Sequence, residues 1–525
     1  MDNQIKPSGD NVHVPDADLE SNHGSEREET PSEESPLLPR DLPDDGEPSK
    51  AFQRRALLMG LIALLLVEIA TFIMSPPIKK ILEDIICQRY YPDHDLKSPQ
   101  LEDYRCKDTS VQKTLAMVQG WNQAFEMGVP ILTQFPYGIV ADKYGRRLVL
   151  FLSVLGCFLQ TFWIMMVLFF PNIFSVWAVL AGSVFFLIGG GSTMAVAMVY
   201  TIVADVVPVS ERTDMYFRLV AIVLIFNVIF NPISAWLLQF DPWVSMWIGF
   251  AIMGIGTLSI LLIPETMHLR RKDDKRHQEE HENDEAQDQE FSLSKHAILR
   301  QAWFSIQNDM QHVWRFIFAS KSIMLLMLAM ALLYPVRIAM AGVLLQYMAK
   351  RFDWSWSKAT YVSTIGVIAT VVCYIVILPV ASKYLDQTPR FKGRPVARDL
   401  LLARIASTVM IVGCFLMAIA GAPWLFIISL IAVNIGNSFV ALSRALVTAV
   451  VEPHTVATLN TTIALTEVIM GLTAPAMSWF LARGIELGGS WIGLPFLVAT
   501  ILALGTATMM FVLRLPEGVA QAHGG

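Results

Sequence analysis

Four ionisable side chains interrupt long apolar runs of this sequence, and they are well placed to do chemistry. They are Glu68, Glu126, Arg337 and Glu467. A charge in the hydrocarbon core of a membrane is costly, so ionisable residues there usually bind a substrate, an ion or a proton. Glu126 lies twelve residues before Gly138, and one membrane face is expected near Gly138. Twelve residues of helix span about 18 Å, so Glu126 lies deep in the membrane. We expect all four side chains at a similar depth, in a cavity that binds a small-molecule substrate and protons.

The composition indicates a protein embedded in a lipid bilayer. Of its 525 residues, 54% are hydrophobic and 16% are charged, and the mean hydropathy is +0.47. About twelve apolar stretches of about 20 residues are long enough to cross a bilayer. The predicted fold class is therefore an all-α polytopic membrane protein with twelve transmembrane helices. The sequence shows no nucleophile and base pair, phosphate loop or metal cluster, so we predict no enzyme activity, no cofactor, no metal and no nucleic-acid partner.

The distribution of Lys and Arg predicts the topology. Short loops near Pro171, Asp241 and Pro423 carry no cations, so the cation-rich side with both termini is assigned to the cytosol. The predicted segments are a disordered cytosolic tail (1–50), a six-helix bundle (51–265) with one large external loop (76–111), a central cytosolic loop with an amphipathic helix (266–320), a second six-helix bundle (321–516) and a short cytosolic tail (517–525).

Weak internal echoes indicate that the two bundles are repeats. Ala204–Pro208 after the fourth apolar run is similar to Ala449–Pro453 after the tenth. Ile263–Glu265 after the sixth is similar to Leu515–Glu517 after the twelfth. The common order and offset predict two six-helix units of similar design packed together.

A short charged segment at residues 138–147 separates two of the apolar runs. Its two glycines permit close helix approach and a tight turn, and its cations favour the cytosolic side. One interpretation is a turn that only fixes topology, but topology requires no aspartate. The residues concerned are Gly138, Asp142, Lys143, Gly145, Arg146 and Arg147.

This segment resembles the signature loop of the major facilitator superfamily, and the six-plus-six layout agrees over residues 50–517. Pro264–Thr266 and Gly493–Phe496 resemble fungal members, and the external loop with two cysteines is distantly similar to the proton-coupled folate transporter group. The resemblance implies that Asp142 meets the N-terminus of the eleventh helix, where the helix dipole favours an anion. It also implies that Arg146 pairs with Asp205 at the end of the fourth helix. Together these contacts would form a cytosolic gate.

The resemblance also predicts where the membrane-embedded charges lie, because the first and seventh helices line the central cavity in that superfamily. It implies that Glu68 and Arg337 face each other. Such pairing offsets part of the cost of desolvation, and the approach of a substrate can then change whether the carboxyl group holds a proton. The alternatives are a static ion pair between helices or a neutral hydrogen-bonded acid, and they apply equally to Glu126 and Glu467.

The cysteines fall into two groups. Cys87 and Cys106 lie in the predicted external loop, an oxidising compartment where they can form a disulfide or stay free. Cys157, Cys373 and Cys414 lie in apolar runs and are expected to pack as small hydrophobes.

The N-terminal tail contains a possible sorting signal. Glu33, Leu37 and Leu38 match an acidic dileucine pattern that sorting adaptors bind, although short patterns also arise by chance in such tails. We expect a multi-pass protein of the plasma membrane, with the vacuolar membrane as the alternative and both termini in the cytosol.

These observations predict a proton-coupled secondary transporter that moves a small organic molecule by alternating access. Export of a secondary metabolite or toxic compound is favoured because the cavity offers few charges and much apolar surface. The fifth helix has Asn231–Ala235 where drug:proton antiporters of the superfamily carry a glycine-rich Gly-Pro pattern. Proton-coupled uptake of an anionic nutrient, with Arg337 binding its carboxylate, is therefore one alternative. A non-transporting sensor on the same fold is another.

Overall fold

The structure is a computed structural model that describes residues 50–93, 104–207, 209–265, 320–389, 391–392, 394–450 and 456–513. The sorting pattern at Glu33, Leu37 and Leu38, most of the predicted N-terminal tail, residues 266–319 of the predicted central loop and the C-terminal tail lie outside the described residues. The predictions made for those segments therefore stay predictions.

Long helices account for nearly all of the described chain, because apolar runs satisfy their backbone groups in a bilayer only within helices or closed barrels. In chain order they are α1 (Lys50–Tyr90), α2 (Thr109–Tyr144), α3 (Arg146–Phe169), α4 (Val176–Val206), α5 (Val209–Leu237), α6 (Pro242–Leu262), α7 (Lys321–Arg351), α8 (Trp356–Gln387), α9 (Pro395–Ile419), α10 (Pro423–Gly436 and Phe439–Val450), α11 (Val456–Gly471 and Ala474–Leu487) and α12 (Gly489–Val512).

Eleven segments of the described chain are long and apolar enough to cross a membrane. The exception is α2, which has 36 residues but carries several polar side chains along its length. Those polar side chains lower the mean hydropathy of α2. Several of them line an internal cavity described below. With α2 counted among the spans, the predicted all-α fold of twelve transmembrane helices is confirmed.

One boundary differs from its predicted place. Pro76 and Pro77 were expected to begin the external loop, but α1 continues through both prolines as far as Tyr90. A proline inside a helix removes one backbone hydrogen bond and kinks the helix without always ending it. The connection between α1 and α2 is therefore much shorter than the predicted segment of residues 76–111.

The helices form two halves, α1–α6 and α7–α12, each with its own apolar core. Within the first half α1 packs along α6, and within the second α9 packs between α10 and α12. The halves meet along two seams, α2 against α11 and α5 against α8. At the first seam, a Cβ added at Gly120 would lie 2.5 Å from the side chain of Ser478, so glycine is required for this close approach.

Helices α4 and α7 are irregular where they approach the middle of the bundle. The break in α4 contains Gly189, Gly190 and Gly191, whose φ values of 86°, 88° and 65° favour glycine. In α7, a π-helical turn spans Ala339–Val343, and a Cβ at Gly342 would collide with the side-chain oxygen of Gln123 on α2. Such turns often occur at functional sites, and here the turn brings α7 against the first half.

The two ends of the bundle differ in chemistry. The disulfide end is the end where α1 finishes and α2 begins, and there Cys87 and Cys106 form a disulfide. The signature end is the opposite end, which carries residues 138–147.

Candidate functional site

The segment at the signature end turns sharply at Gly145, which separates α2 from α3. Its φ of 119° lies in the region that favours glycine. A Cβ at this position would also collide with the carboxylate of Glu265. In contrast, no heavy atom of the described residues lies within 4 Å of a Cβ built on Gly138. The close helix approach expected at Gly138 is therefore absent there, because that face of α2 borders open space.

Glu265 closes this turn from the end of α6. Its carboxylate accepts hydrogen bonds from the backbone N–H of Arg146 (2.9 Å) and of Arg147 (3.2 Å). These amides belong to the first turn of α3, where they have no partner within the helix and an anion is favoured. In addition, Nη1 of Arg147 donates to the carbonyl of Ile263 at 3.3 Å. The sequence placed Glu265 in a repeat and in the segment Pro264–Thr266 that resembles fungal members, but it did not predict this contact. The available signal was an acid on the same membrane face as a helix start.

Arg146 lies at the centre of an acidic pair. The side chain is 2% exposed, with Nη1 2.6 Å from Asp142 Oδ1 and Nε 3.5 Å from Asp205 Oδ2. The structure thus brings Arg146 to the end of α4 and joins α2, α3 and α4 at the signature end. The expected meeting of Asp142 with the N-terminus of α11 involves residues 451–455, which lie outside the described residues, so that contact stays a prediction.

Two adjoining cavities lie in the middle of the bundle. The first-half cavity, of about 480 Å³, is lined mainly by α1, α2, α3 and α4. The second-half cavity, of about 370 Å³, is lined by α2, α7, α9 and α10. Both include Gln123, Met127 and Ala341 in their walls. Together they provide the volume of a small organic molecule between the halves.

The two predicted carboxyl groups of the first half both line the first-half cavity. Glu126 accepts hydrogen bonds from Asn122 Nδ2 at 2.9 Å and from Gln160 Nε2 at 2.7 Å. Glu68 takes part in none of the hydrogen bonds or ion pairs of the described residues. The cavity therefore holds two carboxyl groups, neither within ion-pair distance of a cation on the described part of the chain.

The predicted charges of the second half pair with each other. Arg337 lies 3.7 Å from Oε1 of Glu467 and stacks over the ring of Tyr334. The same oxygen of Glu467 accepts a hydrogen bond from Arg444 at 2.7 Å. The implied pairing of Arg337 with Glu68 is therefore not formed. The reason is proximity, since α7 packs against α11 within the same half.

Lys79 is a cavity residue that the sequence analysis missed. It lies on α1 beyond Pro76 and Pro77 and lines the first-half cavity with Glu68 and Glu126. The error followed from placing the end of the first helix at the prolines, which assigned Lys79 to an external loop. The available signal was that apolar residues continue after it, since Ile81, Leu82, Ile85 and Ile86 are all buried.

At the disulfide end, the two halves are joined around one buried carboxylate. Glu83 is 1% exposed and accepts hydrogen bonds from Lys107 Nζ (2.9 Å) and Gln112 Nε2 (2.5 Å) of its own half. It also accepts one from Nε1 of Trp356, at 2.6 Å, which belongs to α8 of the other half. A buried charge is tolerated only when it is paired and hydrogen-bonded, and the hydrogen bond from Trp356 forms only while the halves are in contact.

Further hydrogen bonds surround Glu83 and complete the closure of the disulfide end. Gln346 Nε2 donates to the backbone oxygen of Gln112 at 2.7 Å and to its side-chain oxygen at 3.0 Å. Gln239 Nε2 donates to Ser357 Oγ at 3.1 Å along the seam of α5 and α8. Two further links join Lys350 to the carbonyl of Lys107 and Lys113 to Glu486. We call the hydrogen bonds that Glu83 accepts from Lys107, Gln112 and Trp356 the disulfide-end network.

The disulfide positions part of this network. The carbonyl of Cys106 accepts a hydrogen bond from Gln112 Nε2 at 2.9 Å, and the next residue is Lys107, which binds Glu83. Cys87 and Cys106 thereby fix the segment that faces the second half. The three cysteines Cys157, Cys373 and Cys414 are free and buried.

We expect loss of the disulfide to lower stability measurably. A Cys87→Ser/Cys106→Ser protein should lose about 3 kcal/mol, the typical effect of opening a loop of this length, and show a lower melting temperature in detergent. Cys414→Ala is the matched control, since it removes a buried sulfur that forms no disulfide. A double variant that melts no lower than this control would show that the disulfide does not stabilise the network.

The comparison with known families is decisive. The sequence profile described as Major Facilitator Superfamily matches residues 56–475. The chain belongs to the Major Facilitator Superfamily. It is a transporter rather than an enzyme.

Fungal relatives match most of this superfamily member. The MFS efflux pump atnC of Emericella nidulans is 27% identical over 505 residues, which cover 93% of this chain and 94% of that protein. The efflux pump ustT of Aspergillus flavus is 28% identical over 446 residues, covering 82% of this chain and 83% of the pump.

Solved structures agree with the fold. The inward-open xylose transporter XylE of E. coli aligns with a TM-score of 0.57 at 12% identity, covering 90% of this chain and 99% of that one. The human organic anion transporter MFSD10 aligns with a TM-score of 0.55 at 15% identity, covering 88% and 99%. At these identities the likeness establishes the architecture alone.

Proposed function

We propose that this transporter exports a small organic molecule, such as a secondary metabolite or toxic compound, from the cytosol and that a proton gradient drives the export. The observation that carries the proposal is the pair of adjoining cavities between two halves that are joined at the disulfide end. The names of atnC and ustT, both efflux pumps, support the direction.

Alternating access follows from how the halves are joined. The disulfide-end network holds the halves together at one end of the bundle, so a substrate can leave there only when Glu83 separates from Trp356. The cations of the signature loop favour the cytosol for the opposite end, which supports an external position for the network. The described arrangement then corresponds to a transporter closed to the outside, and the plasma membrane, or alternatively the vacuolar membrane, is its proposed location.

The proton coupling is supported by Glu68 and Glu126. Both carboxyl groups line the cavity, and neither has a cation within ion-pair distance among the described residues. A carboxyl group in such a place can take up a proton from one side and release it when the surroundings change.

Transport in sealed inside-out vesicles tests the proposal. We expect a labelled solute to accumulate when the lumen is acidic and to stop accumulating when a protonophore is added. A Glu68→Gln/Glu126→Gln protein should exchange the solute without responding to the pH gradient, whereas Glu486→Gln, a change at the exposed rim, should respond as wild type does.

Other outcomes identify the alternatives. Flux that ignores the pH gradient would refute proton coupling. Movement only toward the cytosolic face would indicate uptake, and absence of flux for every solute in a broad library would indicate a sensor.

A further inference from the structure

The first-half cavity contains a cation, Lys79, that forms no direct hydrogen bond or ion pair with the described residues, although Glu126 lies close enough to attract it. Lys79 lines this cavity, and it takes part in none of the hydrogen bonds or ion pairs of the described residues. An ammonium group carries three donors and is strongly hydrated in water. Holding it in a membrane-embedded cavity without an acceptor is costly, so a ligand that supplies an acceptor would be favoured.

The other cations of the central region are already occupied. Arg337 and Arg444 share the carboxylate of Glu467, at 3.7 Å and 2.7 Å. Arg337 is thus a less suitable anchor for an anion than the sequence analysis supposed. The free cationic group of the cavity is Lys79, about three helical turns from Glu68 along α1.

Three amide atoms of residues that line the same cavity also lack partners. Both side-chain polar atoms of Gln119, and Oδ1 of Asn122, are buried without a hydrogen-bond partner. Both residues line the first-half cavity with Lys79. Buried polar atoms are nearly always hydrogen-bonded in folded proteins. A ligand that offers both a donor and an acceptor would satisfy Gln119.

We propose that the transported molecule is a small organic acid that carries an amide, with its carboxylate bound by Lys79 and its amide bound by Gln119. This inference rests on the proposed transport function and specifies the substrate class of the same cavity. The carboxylate fits Lys79 because a charge-assisted hydrogen bond is stronger than a neutral one. The amide fits Gln119 because the two groups are complementary in donors and acceptors.

Binding to purified protein in detergent tests the proposal without a gradient or a direction of transport. The probes are N-acylated amino acids and their matched primary amides, which lack the negative charge, titrated by thermal stabilisation. We expect wild type to bind at least one acid more tightly than its amide, by about 10- to 100-fold. Lys79→Met should abolish this preference and Lys79→Arg should retain part of it.

Two controls keep the result interpretable. Lys358→Met makes the same chemical change on an exposed residue outside the cavity and should keep the preference for acids. If Lys79→Met does not fold, Lys79→Gln replaces it. The proposal is overturned if acids and amides bind equally, if no acid binds at millimolar concentration, or if the preference persists without Lys79. Because binding is measured at equilibrium, these outcomes are independent of whether vesicle transport responds to protons.

Discussion

Replacing Glu83 by alanine is expected to open the disulfide end of the transporter. The change leaves Lys107 and Trp356 without the buried acceptor that joins the halves. The bond between the halves is the one from Trp356, and losing a hydrogen bond to a charged acceptor costs about 1.5 to 3 kcal/mol, which corresponds to a shift of about 10- to 100-fold toward the open arrangement. The loss of free energy affects only the closed arrangement, because Glu83 accepts the hydrogen bond from Trp356 only when the halves are in contact.

Cysteine reactivity measures this shift. Ala349 on α7 is fully buried within a cluster of first-half residues, so an Ala349→Cys thiol should react slowly with a maleimide. In the Glu83→Ala background its reaction should accelerate. Asp84→Ala is the matched control, since Asp84 is the neighbouring acid and pairs with Lys80 on the same helix. Equal reaction rates in the two backgrounds would show that Glu83 does not hold the halves together.

Replacing Glu467 by glutamine is expected to reduce transport by the order of 100-fold. Two guanidinium groups, those of Arg337 and Arg444, lie on one oxygen of this carboxylate. Without the negative charge, both cations remain in the central region uncompensated, which is strongly unfavourable. Initial rates of solute flux in vesicles, normalised to the amount of folded protein, provide the measurement. Removing one cation as well, in Arg444→Gln/Glu467→Gln, should restore part of the rate.

The chain offers a matched control for this charge arrangement. Glu486 also lies between two cations, Lys113 and Arg483, but this group lies at the disulfide end of α11 and not in the middle of the bundle. Ion pairs accessible to water contribute little, so Glu486→Gln should transport at nearly the wild-type rate. If Glu467→Gln does so too, the group of Arg337, Arg444 and Glu467 has no role in transport. Likewise, if an Arg337→Gln protein binds its substrate with unchanged affinity, Arg337 is not part of the substrate site.

The architecture could be predicted from the sequence because it depends on properties that are local in the chain. Apolar length identifies a transmembrane helix, and the repeat and the signature loop place twelve of them in two halves. Even α2, the least apolar span, was placed correctly. The exception was the end of α1, which was placed before residue 76, whereas the helix continues to Tyr90.

The partners of the buried charges could not be predicted in the same way. Arg337 was expected to face Glu68 but pairs with Glu467, because the choice depends on which helices touch within a half. The disulfide-end network was missed for a similar reason, since Glu83 and Trp356 are far apart in sequence and neither is unusual alone. Lys79 was missed through the misplaced end of α1. Contacts between helices are non-local, and composition does not encode them.

The clamp formed by Glu265 gives the first half a mechanical property. It ties the beginning of α3 to the end of α6, and α6 packs along α1. A force applied to Arg146 when the signature end opens or closes is therefore transmitted through a stiff frame of three helices. Glu68 and Lys79 lie on α1 and line the first-half cavity, so we expect them to move together with this frame. Opening or closing of the signature end would then change the orientation of the cavity wall.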